Sequence, residues 1–212
     1  MCGRFSQHWP QELWQDAWPV DWRVKDFEPR YNVAPGTAVL TFIHDHEDQT
    51  LAGLMQWGIP TPKMLLINAR SETVESRPTF RPLLAKSRCV VPLNGYYEWH
   101  QQTRQPYYIR PHQDDRPGWA LGLYQMTPEG ARLVILTRAA TTELSAIHPR
   151  MPVLADRDLA EVWLDRRESR YREVLAMMLA SEPHYPLRAV STRVNRAREQ
   201  GPDLIQPIAA ES

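Results

Sequence analysis

Short apolar runs with strand character recur along the chain, each closed off by proline, glycine or a polar cluster. AVLTFIHD (38–45) and LAGLMQWG (51–58) flank the polar stretch HEDQT, which predicts a β-hairpin. CVVPLNGYYEW (89–99), QPYYIRP (105–111), GWALGLYQM (118–126), ARLVILTRAA (131–140) and MPVLA (151–155) continue the series. Their spacing predicts an antiparallel, barrel-like, strand-rich core. Helical spacing is rarer. QELWQDAW (11–18) follows Pro10 and stops before Pro19, which predicts a short helix, and RYNVAPGT (30–37) reads as a turn rigidified by Pro35 and Gly36. TFRPLLAKS (79–87), DLAEVWLD (158–165) and REVLAMMLAS (172–181) predict helices packed outside the sheet. The class is α+β. Nineteen prolines are spread rather than clustered and no repeat divides the 212 residues, so a single domain over 1–212 is expected, with AAES (209–212) frayed.

No apolar run is long enough to span a bilayer, and MCGRFSQHW lacks the features of a secretory signal. Cys2 and Cys89 are too few for a disulfide framework and suit a reducing compartment, so a cytoplasmic protein is expected. Zero net charge argues at first against nucleic acid. The basic residues are nearly all arginine, however, with lysine only at Lys25, Lys63 and Lys86. Arginine's planar fork fits phosphate oxygens. Composition leaves a local phosphate groove and a mere codon bias both open. The His44-Asp45-His46 sequence reads as a solvated turn rather than a metal set, and neither metal nor cofactor is expected.

The second residue carries the most chemistry. Initiator methionine is generally removed before a small side chain, which would leave Cys2 with an α-amine beside its thiol. Reference pKa values of about 7.7 to 8.0 and about 8.5 give some neutral amine and some thiolate near pH 7. An aldehyde can condense with the amine to an imine, and the thiolate can close on the same carbon as a five-membered thiazolidine. An internal cysteine cannot do this.

MCGRF, RYNVAPGT, QWG, INARSET, GYYEW, LTRAA, IHPRMPV and VSTRVN followed by LIQPI occur in that order. Together they resemble the SOS response-associated peptidase family of abasic-site processing proteins, over residues 2 to about 208. The resemblance implies recognition of single-stranded DNA and a covalent thiazolidine between Cys2 and a ring-opened abasic sugar, within the DNA damage response. Nucleoid association when bound to DNA is expected, a monomer is taken as the default because the sequence is silent on oligomeric state, and replication-fork association, lyase activity and self-removal of Met1 stay open. Glu98 and His148 are the candidates for proton transfer in opening the sugar ring. Asn68 resembles the family's active-site amide. Arg4, Arg70, Arg77 and Arg150 stand in or beside matched motifs as phosphate ligands, Thr137 as a further donor, and Asn32 and Pro35 as the loop beside the lesion. Relatives often carry a longer tryptophan-containing loop where this chain has only IPTPKMLL, so Met64 or Trp57 is the expected apolar wedge. Trp14, Trp18, Trp22 and Trp119 read as core or surface lids, and Cys89 as a buried small hydrophobe. Two other classes stay open: a cysteine peptidase, for which an extended peptide path is the discriminating feature, and a non-catalytic single-strand-binding module.

Overall fold

In the computed structural model, which describes residues 2–165 and 168–208, the apolar runs become strands, with those at the centre of the sheet covered on both faces. The expected loss of Met1 and fraying of 209–212 fall outside the described residues. Along the chain come β1 (Phe5–Gln7), α1 (Gln11–Ala17), β2 (Asp21–Trp22), β3 (Arg30–Val33), β4 (Ala38–His44), β5 (Thr50–Trp57), β6 (Ile59–Pro60), β7 (Leu65–Leu66) and β8 (Asn68–Arg70). There follow α2 (Arg81–Lys86), β9 (Arg88–Leu93), β10 (Gly95–Trp99), β11 (Pro106–Ile109), β12 (Gly118–Thr127), β13 (Gly130–Ala139) and α3 (Thr142–Ser145). Last are β14 (Arg150–Pro152), β15 (Leu154–Ala155), α4 (Arg157–Leu164), α5 (Glu168–Ala180) and β16 (Leu187–Ala189), then two 3-10 turns, Thr192–Asn195 and Pro202–Ile205. No helix among the described residues is long and apolar enough to cross a membrane.

The larger sheet runs β13-β12-β9-β4-β5 and closes on itself because β5 also pairs with β13. This gives the expected barrel, in one domain with few helices. Neighbours in it are antiparallel except at the seam, where Arg132 faces Gln56 and Leu133 faces Trp57 in parallel. The hairpin forms as expected, with Asp45 Oδ1 accepting from the N–H groups of Glu47 and Gln49 in its turn. The smaller sheet has the order β16-β11-β10-β1-β3 and is antiparallel throughout.

Strand alternation sends successive side chains to opposite faces. Val90, Leu121, Val134 and Leu136 join one core with Trp119, Trp163, Tyr171 and Val174, where the helices pack. Cys89, Val91, Ala120, Leu133 and Ile135 join a second core with Phe5 and Tyr96 of the smaller sheet and with Cys2. Burial on both faces explains why these strands read as continuous apolar runs. Trp14, Trp18 and Trp119 are core residues, Trp22 is half-buried against Phe42, and Cys89 is enclosed, all as expected.

Two segments differ from their sequence reading. RYNVAPGT is a turn only after Val33, since Arg30–Val33 pairs with β1. CVVPLNGYYEW is two strands in different sheets, broken at Asn94, whose Oδ1 accepts from the N–H groups of His8 and Trp9. Gly95 follows this break because a Cβ there would lie 2.4 Å from the Tyr108 ring and 2.8 Å from the Ile109 carbonyl. Within INAR, Asn68–Arg70 forms β8 and lies parallel to β13, with Asn68 opposite Ile135 and Arg70 opposite Thr137.

Candidate active site and strand groove

Cys2 owes its position to the strand that begins three residues later. Phe5 of β1 faces Tyr96 of β10, and the Tyr97 N–H donates to the Arg4 carbonyl at 2.9 Å, so the chain just before β1 lies along the strand that carries Glu98. Asn68 Nδ2 donates to the Cys2 carbonyl at 2.9 Å, and β8 holds Asn68 in place through its pairing with β13. Its Oδ1 is buried with no hydrogen-bond partner among the described residues. Glu98 is 4% exposed, and one of its carboxylate oxygens lies 3.8 Å from His148 Nδ1. The His148 ring is fixed from its own loop: Nδ1 meets the Arg150 N–H at 3.1 Å and the Arg150 carbonyl at 3.0 Å. Cys2, Asn68, Glu98 and His148 therefore come together from four separate elements.

Burial sets the protonation states. It pushes the Glu98 carboxyl up to about 8. It lowers His148, and the Arg150 guanidinium adds to that fall. Although the Glu98–His148 distance meets an ion-pair criterion, both shifts favour the uncharged forms, so at neutral pH the contact joins a carboxylic acid to a neutral imidazole. Burial, reinforced by Glu98 once that carboxyl has ionised, raises the Cys2 thiol far above the usual range, while the Arg4 backbone N–H at the sulfur pulls it down. A site with a neutral acid, a neutral base and a nucleophile whose anion is disfavoured can move protons but needs help to make a thiolate.

The arginines divide into two kinds. Arg70 and Arg77 are exposed, have no acidic partner among the described residues, and line a cavity of about 340 Å³ together with Asn68, Leu66, Thr73 and Phe80. Arg4 and Arg150 are held inward. Arg150 forms a two-pronged pair with Glu72, at 2.5 and 3.0 Å, and donates to the carbonyl and hydroxyl of Thr137. Arg4 donates to Asn32 Oδ1 and to the Val194 and Asn195 carbonyls. Asn32 in turn donates to the carbonyls of Val194, Arg196 and Glu199. Pro35 is half-buried in the turn after β3.

Two expectations are corrected. Thr137 is 1% exposed and its hydroxyl accepts from Arg150, so it fixes an arginine and presents no donor to a phosphate. Trp57 is wholly enclosed at the barrel seam, tilted against Phe5 with its indole N–H donating to the Ile67 carbonyl, and has no face for a base. Met64, by contrast, is 60% exposed between β6 and β7. Glu72, the partner that orients Arg150, was not among the expected site residues. Its only sequence signal was its place inside INARSET.

Known proteins resemble this chain over most of its length. Residues 1–197 match the family described as SOS response associated peptidase (SRAP). The abasic site processing protein YoqW of Bacillus subtilis is 31% identical over 97% of this chain and 99% of the relative. YedK of Escherichia coli, named as an abasic site processing protein, is 30% identical over 98% and 100%. Among solved structures, a protein from Bacteroides thetaiotaomicron covers 98% of this chain and 100% of its own at TM-score 0.81 and 20% identity, a likeness of fold.

Proposed function

From a chain that belongs to the SOS response-associated peptidase family, we propose that Cys2, once it is the first residue, captures abasic sites in single-stranded DNA as a thiazolidine. The observation that carries this reading is the convergence on Cys2 of Asn68 with the buried Glu98–His148 pair, beside a cavity lined by two uncommitted arginines. The closed sugar must open first. Glu98, starting as the acid, donates to the ring oxygen as the anomeric hydroxyl gives up its proton, and His148 passes the proton on. The open Asn68 Oδ1 accepts from a sugar hydroxyl. The Cys2 amine then attacks the aldehyde carbon, water leaves to give the imine, and the thiolate closes the ring. The carbonyl oxygen departs as water with one proton from the amine and one from the thiol, so no oxidant is required. Met64 supplies the apolar contact beside the lesion that Trp57 cannot. Intact-mass analysis after incubation with an abasic oligonucleotide tests the reading: an adduct one water lighter than protein plus oligonucleotide supports it, and unmodified protein rejects it.

Arg70 and Arg77 on the cavity wall favour a polyanionic strand over an extended peptide. Arg70→Ala or Arg77→Ala is expected to weaken binding to intact and abasic strands alike. Each should also flatten the plot of log affinity against log salt by roughly 0.7 for every phosphate that is no longer neutralised. Arg150→Ala acts differently, because it frees Glu72 and the His148 loop. Anisotropy titrations across a salt series would show the difference, and unchanged slopes in Arg70→Ala and Arg77→Ala would remove both from the groove.

A further inference from the structure

The proposed capture leaves one requirement unmet. Burial, and Glu98 once ionised, both oppose the Cys2 thiolate, and the one donor among the described residues that favours it is the Arg4 backbone N–H. Tyr96 carries a polar group in the same core as Cys2 that the site chemistry has not used. Its side chain is fully buried in the same core as Cys2, and its hydroxyl has no hydrogen-bond partner among the described residues. A buried hydroxyl left unpaired is costly, so such a group calls for a partner that arises when the site works. The strand geometry says where that partner lies. Tyr96 and Glu98 are two apart on β10 and so share a face, whereas Tyr97 turns away to pack on Tyr108. The register sets Tyr96 opposite Phe5, three residues from Cys2.

We propose that the Tyr96 hydroxyl is the side-chain donor to the Cys2 sulfur in its thiolate form, and so serves the ring-closing step. Burial first, and the charges of Tyr185, Cys2 and Glu98 in addition, keep this phenol protonated well beyond the ordinary tyrosine range, so it remains a donor wherever the amine is neutral. A phenol gives a short, charge-assisted bond to an anion and leaves the sulfur lone pairs available once the imine carbon arrives. The inference rests on the capture reading for its role, but not for its measurement.

The test is residue-resolved alkylation of Cys2 by iodoacetamide as a function of pH, with no DNA present, on mature protein whose loss of Met1 is verified by mass. Tyr96→Phe keeps the ring and removes the donor. The alkylation midpoint is expected to rise by about one pH unit, a tenfold loss of thiolate at fixed pH. With abasic DNA, borohydride-trapped imine should form at the wild-type rate while ring closure falls about tenfold, a split that a merely structural residue would not produce. Replacing Tyr96 by 3-fluorotyrosine, a stronger donor of nearly the same shape, should move the midpoint down, and this variant decides the matter if Tyr96→Phe fails to fold. An unmoved midpoint in the folded variants overturns the proposal. If wild-type protein gives no adduct while the Tyr96→Phe midpoint still rises, the capture reading fails and the sulfur contact stands.

Discussion

Protein carrying any residue ahead of Cys2 is expected to form no denaturation-resistant adduct with abasic single-stranded DNA, while the mature chain forms it to completion. The loss should be total because an amine acylated by a preceding residue has no basic lone pair for imine formation. Geometry adds to the chemistry: Cys2 is fully enclosed, its carbonyl held by Asn68, so an extension also competes for the space in which the sugar must sit. Cys2→Ala should fail equally to give a stable product. Cys2→Ser keeps the amine, so it should give an imine that hydrolyses on denaturation but survives borohydride reduction. The comparison is made by denaturing gel and intact mass on the four proteins side by side. A stable adduct from the extended chain would mean that another nucleophile does the work, and the assignment of Cys2 would be wrong.

Glu98→Gln is expected to slow crosslinking by about 10² to 10⁴-fold while leaving affinity for an unreactive tetrahydrofuran analogue unchanged, since it removes a positioned acid without altering shape. The pH profile gives the sign. Neutral amine and thiolate both increase with pH, so the wild-type rate should climb at first. Glu98 holds its proton up to about 8, and above that the acid is lost and the rate should turn over. The Gln variant should lack the descending limb. A wild-type rate in Glu98→Gln at every pH would leave Glu98 as a mere strand residue.

The same carboxyl affects stability. Its pKa is near 4.5 unperturbed and about 8 in the fold, so between those values the native state holds a proton that the unfolded chain has released. The stabilising contribution is therefore complete below the lower value and disappears as pH rises through the upper one, each tenfold difference in proton affinity being worth about 1.4 kcal/mol. The amide in Glu98→Gln would stay neutral throughout. The Tm advantage of the variant over wild type should accordingly be small in mild acid, grow across that window, and level off beyond it.

Much of this was visible in the order of apolar runs and turns. The hairpin of β4 and β5, the strands β9 to β13 and the outer helices arise from local patterning that burial on one or two faces reinforces. The barrel seam was not, because β5 meets β13 through only two register pairs between segments far apart in sequence, and no local signal marks them. Among the site residues, the structure sets Asn68 against the Cys2 carbonyl and Glu98 beside His148. The fate of each arginine was hidden, since residue type alone does not tell a guanidinium facing solvent at Arg77 from one locked to Glu72 at Arg150. Trp57 misled for a related reason: a tryptophan before glycine at a strand end can seal a core as readily as it can meet a ligand.

Arg4 and Asn32, close behind the nucleophile, are fastened to the carbonyls of residues 194 to 199 near the other end of the chain. A contact spanning 190 residues of sequence thus holds the segment that follows Cys2. A chain cut short before Val194 keeps the β1 pairings and the Asn68 hydrogen bond to the Cys2 carbonyl, but loses these carbonyl anchors of Arg4 and Asn32.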